Sequence, residues 1–116
     1  MFGTIFTVRP KPGQENAVVG HFEKWARERG SKAKGALASY LYRNVQNPAE
    51  LMCAVVYDSR DSYFANANDP EQDRWYRELV ALLEAEPRFS DGELLLSYTA
   101  SSGIVRSQPS EARRGS

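Results

Sequence analysis

The run Leu51-Met52-Cys53-Ala54-Val55-Val56 constrains this chain most. It is short, rich in β-branched residues, and bounded by Asn47-Pro48 on one side and Asp58-Ser59 on the other, so it reads as a strand from Glu50 to Tyr57. Successive strand side chains point to opposite faces, and here both sets are apolar. A strand of that kind must be covered on both sides.

The remaining elements supply the cover. Phe2 to Arg9 alternates, with Phe2, Thr4, Phe6 and Val8 on one face and Gly3, Ile5 and Thr7 on the other, which predicts the first strand. Pro10-Lys11-Pro12-Gly13 ends it. From Gln14 to Arg29, Val18, Phe22 and Trp25 recur at helical spacing while Glu23, Lys24, Arg27 and Glu28 take the outer face, and Gly30 is a stop. Ser31 to Gly35 is a small, basic connection. Ala36 to Val45 is a strand carrying Ala38, Tyr40 and Tyr42 on one face and Leu37, Leu41 and Val45 on the other. Ser59 caps a short helical segment through Asn66. A longer helix then opens at Asp69-Pro70, with Asp69 as cap, Pro70 at the first helical position and Gln72 completing a capping-box-like arrangement. Pro87 is expected to end that helix. Ser90-Asp91-Gly92 is expected to turn into a last strand, Glu93 to Ala100, and residues 101–116 read as a polar tail.

The order is β-α-β-β-α-β, an α+β ferredoxin-like sandwich with one antiparallel sheet and helices on one face. Residues 1–100 form the domain. Two main helices can cover one sheet face only, yet strands one, three and four are apolar on both. The uncovered face calls for a partner, and a second copy packed sheet to sheet is the simplest, so the expected partner is the chain itself as a homodimer.

Composition removes several function classes. Lys and Arg together number 15, as do Asp and Glu, for a formal net charge of zero. Nucleic-acid and anionic-membrane partners normally leave a basic excess, so neither is expected. The RNA-recognition motif shares this element order, but its third strand carries stacking aromatics and a basic residue, and Leu51–Val56 has neither. A single cysteine allows no internal disulfide, and the opening Met1-Phe2-Gly3-Thr4-Ile5 runs straight into a strand. A soluble cytoplasmic protein is the expectation. Asp58 and Asp61 have no nearby histidine or cysteine, so no metal site is expected.

Certain segments go further. Pro12-Gly13-x-Glu15, Tyr40-Leu41-Tyr42-Arg43-Asn44 followed by Asn47-Pro48, Val56-Tyr57-Asp58-Ser59, Ser62-Tyr63-Phe64 and Glu86-Pro87 together resemble the antibiotic biosynthesis monooxygenase-like family of dimeric α/β barrel proteins. The resemblance covers about residues 1–100. It implies a dimeric barrel with a pocket in each subunit between sheet and helices. Activities in the family include cofactor-independent oxygenation of polycyclic phenols, oxidative opening of haem, and quinol oxidation. The haem-opening branch uses a histidine in the helix that here begins at Pro70, and this helix has none, which argues against haem cleavage. An asparagine together with a tryptophan occurs in the polyphenol-oxidising branch, and Asn66 and Trp75 are the candidates here.

The resemblance thus implies a monooxygenase or oxidase that needs no cofactor and acts on a small aromatic or phenolic ligand. The catalytic candidates are His21, Asn66 and Trp75, and the ligand-binding candidates are Tyr40, Tyr42, Arg43 and Tyr76. His21 is the single histidine, either a proton acceptor or a boundary residue at the edge of the helix stripe. Tyr40 and Tyr42 share a strand face, either as a stacking wall or as ordinary strand aromatics. Arg43 could hold a phenolate or carboxylate, or simply end a strand in solvent. Trp75 and Tyr76 sit about 100° apart on one helix, so one is expected in the core and the other along a cleft. Cys53 reads as a small buried hydrophobe. The competing function is a non-catalytic small-ligand-binding or structural dimeric α/β barrel protein.

Overall fold

A computed structural model describes residues 1–30 and 32–106. Ser31 and the last ten positions of the expected polar tail, 107–116, lie outside the described residues. The elements run β1 (Phe2–Val8), α1 (Glu15–Glu28), β2 (Ala36–Arg43), β3 (Leu51–Tyr57), α2 (Arg60–Ala67), α3 (Pro70–Val80), β4 (Arg88–Glu93), β5 (Leu96–Thr99) and β6 (Gly103–Arg106). The main sheet has the order β2-β3-β1-β4, with β3 and β4 antiparallel to β1 and β2 antiparallel to β3. This is the expected ferredoxin-like α+β arrangement.

Alternation decides which side chains meet the helices. Phe6 and Val8 of β1, with Leu51 and Cys53 of β3, form one buried cluster with Val18 of α1, Leu79 of α3 and Leu83. Phe2 packs its ring 5.2 Å from Tyr63 and 5.7 Å from Phe64 of α2. All three helices therefore cover the same sheet face. On the other face Ile5 is 64% exposed and Tyr40 and Tyr42 are also open. Tyr40 stands opposite Ala54, and Tyr42 opposite Met52. Among the described residues, the apolar run that demands two covers receives one.

Helix entries follow side-chain chemistry. Ser59 Oγ accepts from the Ser62 N–H at 3.0 Å and starts α2. Asp69 Oδ1 accepts from the Glu71 N–H at 2.9 Å and Pro70 opens α3 as expected. Gln72, however, does not close a capping box. Its side chain is taken by Trp25, while the Asp69 N–H goes to the Asn66 carbonyl at 3.0 Å.

The C-terminal third departs from the sequence expectation. Helix α3 stops at Val80, well before Pro87. The residues just beyond it are drawn to the end of β1, where the Lys11 N–H donates to the Leu82 carbonyl and the Glu84 N–H to the Arg9 carbonyl. The fourth strand is Arg88–Glu93, and Ser90-Asp91-Gly92 lies within it rather than forming a turn. An unpaired edge of β1 offers a ladder of backbone hydrogen bonds, which outweighs a local turn preference. The segment expected to be that strand instead forms the outlying hairpin β5–β6, whose second strand takes up part of the expected tail. Its apolar side chains Leu96, Tyr98 and Ile104 stand exposed. Among the described residues no helix is long and apolar enough to cross a membrane.

Candidate active site

A cavity of about 430 Å³ lies between the sheet and the helices. Phe6, Phe22, Trp25, Trp75, Tyr76 and Phe89 supply most of its aromatic wall, and Thr4, Tyr63, Asn66, Gln72, Asp73 and Asp91 its polar groups. A mostly apolar pocket of this size with a few placed polar groups is the usual form of a small-molecule site.

Both adjacent aromatics of α3 reach the cavity, where the helical spacing predicts only one. Trp75 leans toward α1, its ring 5.2 Å from Phe22 and edge-on to it. Tyr76 leans toward β4, 5.9 Å from Phe89. The cavity spans the arc between α1 and β4, so two directions about 100° apart both end in its wall. Burial pushes the Tyr76 hydroxyl up, and the nearby Glu86 carboxylate adds to it.

His21 is not among the cavity-lining side chains. Its ring stacks on Trp75 at 4.8 Å, nearly parallel. A carbonyl can only accept, so His21 Nε2–H donates to the Trp75 carbonyl at 2.8 Å, and the Trp75 indole N–H returns a bond to the His21 carbonyl at 2.9 Å. Two helices are thereby latched at the residue that forms the cavity wall. His21 positions Trp75 from behind.

Asn66 does line the cavity, at the end of α2. Arg29, at the end of α1, donates from Nη2 to Asn66 Oδ1 at 3.1 Å and to Asp69 Oδ2 at 3.3 Å, and from Nη1 to Glu71 Oε2 at 3.4 Å. A guanidinium has no acceptor, so it takes the amide oxygen and leaves the Asn66 N–H₂ as the group able to donate to a ligand. The Glu71 N–H, and after it the Arg29 charge, hold the Asp69 carboxyl below its ordinary value. Nearby, Trp25 Nε1–H donates to Gln72 Oε1 at 2.7 Å, a second polar tie between α1 and α3.

Tyr40, Tyr42 and Arg43 are not brought to this cavity. The two tyrosines lie on the open sheet face, because β2 pairs with β3 so that Ser39 and Leu41 take the helix side. Arg43 grips Glu15 through Nε at 2.9 Å and Nη2 at 2.6 Å, tying the end of β2 to the start of α1. That hydrogen bonding holds the Glu15 carboxyl below its ordinary value and raises Arg43.

At β1 and β4, Thr4 stands directly opposite Asp91. Tyr63 O–H donates to Asp91 Oδ1 at 2.9 Å. Burial first, and then the hydrogen bond to Asp91, push the Tyr63 hydroxyl up to about 12. Sequence reasoning did not single out Thr4, Tyr63 and Asp91 as a site. Thr4 did carry a signal, as the one polar side chain on the Phe2-Phe6-Val8 face; its pairing with Asp91 had none.

The family model for antibiotic biosynthesis monooxygenase matches residues 1–78. The chain belongs to the antibiotic biosynthesis monooxygenase family. Solved structures agree on the fold. An antibiotic biosynthesis monooxygenase shares 14% identity, with 81% of this chain and 98% of that one covered at a TM-score of 0.67. A Mycobacterium tuberculosis protein shares 16%, with 84% and 98% covered at 0.71. A protein from Methanosarcina mazei Go1 shares 14%, with 79% and 90% covered at 0.70. Among proteins of curated function none matches. In this antibiotic biosynthesis monooxygenase family chain the matched span stops within α3, so Phe89 and Asp91 of the cavity wall come from sequence beyond it.

Proposed function

We propose that the cavity binds a small planar phenol and that the chain oxidises it with dioxygen, without a resident cofactor. The observation that carries the reading is Asn66. It lines an aromatic-walled cavity, and a mostly buried Arg29, whose side chain is 13% exposed, takes its amide oxygen, which leaves the N–H₂ to donate to a ligand. An amide N–H₂ backed by a positive charge stabilises a phenolate more than the neutral phenol, so it lowers the ligand's pKa. Aromatic faces at Trp75 and Phe22 hold the ring by stacking and edge contacts.

The electron balance selects the substrate type. With no other reductant, the phenol itself supplies the four electrons that reduce dioxygen. A phenol with a free para C–H meets this requirement. The phenolate passes one electron to dioxygen, and the resulting superoxide and phenoxyl radical join at the para carbon. Protonation gives a hydroperoxide, which loses water. One oxygen atom becomes the new quinone carbonyl, and the other leaves as water with the ring hydrogen and the phenolic proton. Trp75, clamped by His21, fixes the ring plane during these steps, so His21 acts through Trp75. We further propose that the chain works as a homodimer, two open sheet faces packed together.

Oxygen uptake tests the reading. Purified chain mixed with para-unsubstituted naphthols is expected to consume dioxygen and form the quinone. Asn66→Leu should lower kcat/KM about tenfold to a hundredfold, with loss of one charge-backed hydrogen bond in the transition state. Tight phenol binding without oxygen uptake would instead establish a ligand-binding module. An unchanged rate in Asn66→Leu would remove Asn66 from the mechanism.

A further inference from the structure

We propose that the cavity carries a second polar pole, formed by Thr4, Tyr63 and Asp91, that takes a second, neutral hydroxyl of the ligand. This rests on the reading of the cavity as a phenol site and names the substrate class more narrowly, as a dihydroxylated planar aromatic.

Thr4 is 5% exposed. Its Oγ1 is buried and without a hydrogen-bond partner, although Thr4 lines the cavity. The Tyr63 hydroxyl is close enough to feel the Thr4 hydroxyl, but the two do not meet with hydrogen-bond geometry. A buried hydroxyl with nothing to bond is rare in a folded chain and points to a partner that binds there. Directly across the strand pair is Asp91. Tyr63 donates to its Oδ1, and the second carboxylate oxygen keeps acceptor capacity on the residue paired with Thr4.

A donor on Thr4 and an acceptor on its strand partner Asp91, both lining the cavity, together match a hydroxyl group, which accepts through its oxygen and donates through its proton. It does not match a carboxylate or phosphate, which would stand against the Asp91 charge with a single neutral donor to hold it. Tyr63, with its hydroxyl pushed up to about 12, keeps its proton at neutral pH and holds Asp91 in place. The pole therefore accepts a second hydroxyl and rejects an acid on the same ring.

Three ligands with one ring system separate the cases: a naphthol, the same ring with a second hydroxyl, and the same ring with a carboxylate instead. The full chain is titrated with each, read by quenching of the fluorescence of Trp25 and Trp75, both in the cavity wall. The diol is expected to bind about tenfold more tightly than the naphthol, the effect of one well-placed pair of hydrogen bonds, and the acid more weakly than either. Thr4→Val should close the gap between diol and naphthol and also raise the melting temperature of the ligand-free chain, because it removes an unpaired buried hydroxyl. Thr4→Ser should keep the diol preference. Equal binding of diol and naphthol by the unaltered chain would overturn the second pole and leave the phenol site standing. Failure of all three ligands to bind would overturn both. Should Thr4→Val not fold, Asp91→Asn decides: a gain in affinity for the acid supports the pole, and no gain overturns it.

Discussion

At the scale of single residues, the helix side of the sheet is hostile to charge. Burial pushes the Cys53 thiol from its ordinary 9.0 up to about 12, and Tyr63 rises to about 12 from 10.0. Tyr57 and Tyr76 move in the same direction, both chiefly by burial. The sign of the consequence is fixed by linkage. Above about pH 9 the unfolded chain sheds protons that the folded chain still holds, so stability is full below that value and falls as pH rises toward 12. Urea midpoints measured across this range should decline, first as the unfolded thiol ionises and then more steeply as the tyrosines do. Cys53→Ala should flatten the early part of the fall and Tyr63→Phe the later part. A midpoint independent of pH up to 11 would contradict the buried, protonated state of these groups.

At the scale of elements, α1 and α3 are joined by polar ties along their length. His21 and Trp75 exchange two hydrogen bonds, Trp25 donates to Gln72, and Arg29 reaches Asp69 and Glu71. Each tie also fixes something at the cavity: Trp75 in its wall, Gln72 along it, Asn66 through Arg29. Because His21 sits behind the wall, His21→Ala is expected to cost about 1–2 kcal/mol in stability through the lost hydrogen bond and stack. It should also broaden and red-shift tryptophan emission as Trp75 loosens. A general base would behave otherwise, abolishing turnover with stability unchanged, so the pair of measurements separates the two roles.

At the scale of the whole molecule, one sheet face is covered by three helices, and among the described residues the other stays open. Ile5 at 64% and Tyr42 at 57% exposure, with Tyr40 beside them, make an apolar surface that a lone chain leaves in water. The outlying β5–β6 hairpin adds Leu96, Tyr98 and Ile104. Under the proposed sheet-to-sheet homodimer, Ile5→Lys should shift the sedimentation coefficient from dimer to monomer and leave the helix-side core folded, since Ile5 points away from it. A monomer for the unaltered chain at micromolar concentration would refute the arrangement.

Much of the fold was legible because it depends on local chemistry. Alternation marked β1 and β2, a short apolar run between turn residues marked β3, the 3.6-residue period marked α1, and Asp69-Pro70 marked the entry to α3. These signals act within a few residues of their cause. What lay beyond them was decided by partners distant in the chain. Leu82 and Glu84 left the helix for the backbone of Lys11 and Arg9, and Ser90-Asp91-Gly92 became a strand because the edge of β1 was waiting for it. The candidate site divides in the same way. Asn66, Trp75 and Tyr76 could be named from the chain, but His21 could not be placed behind the wall rather than in it. The two-residue period of β2 sets Tyr40 and Tyr42 on a common face, and only the pairing with β3 decides which face that is. By itself, then, the sequence determined the element order as far as α3, the helix starts and the apolar surplus of β1 and β3, while the strand expected to be apolar on both faces after α3 was replaced by the polar Arg88–Glu93. The tertiary structure alone decided which polar groups share a cavity, because hydrogen bonds between residues such as Arg29 and Asn66, or contacts across a ladder such as Thr4 and Asp91, exist only once the chain has closed on itself.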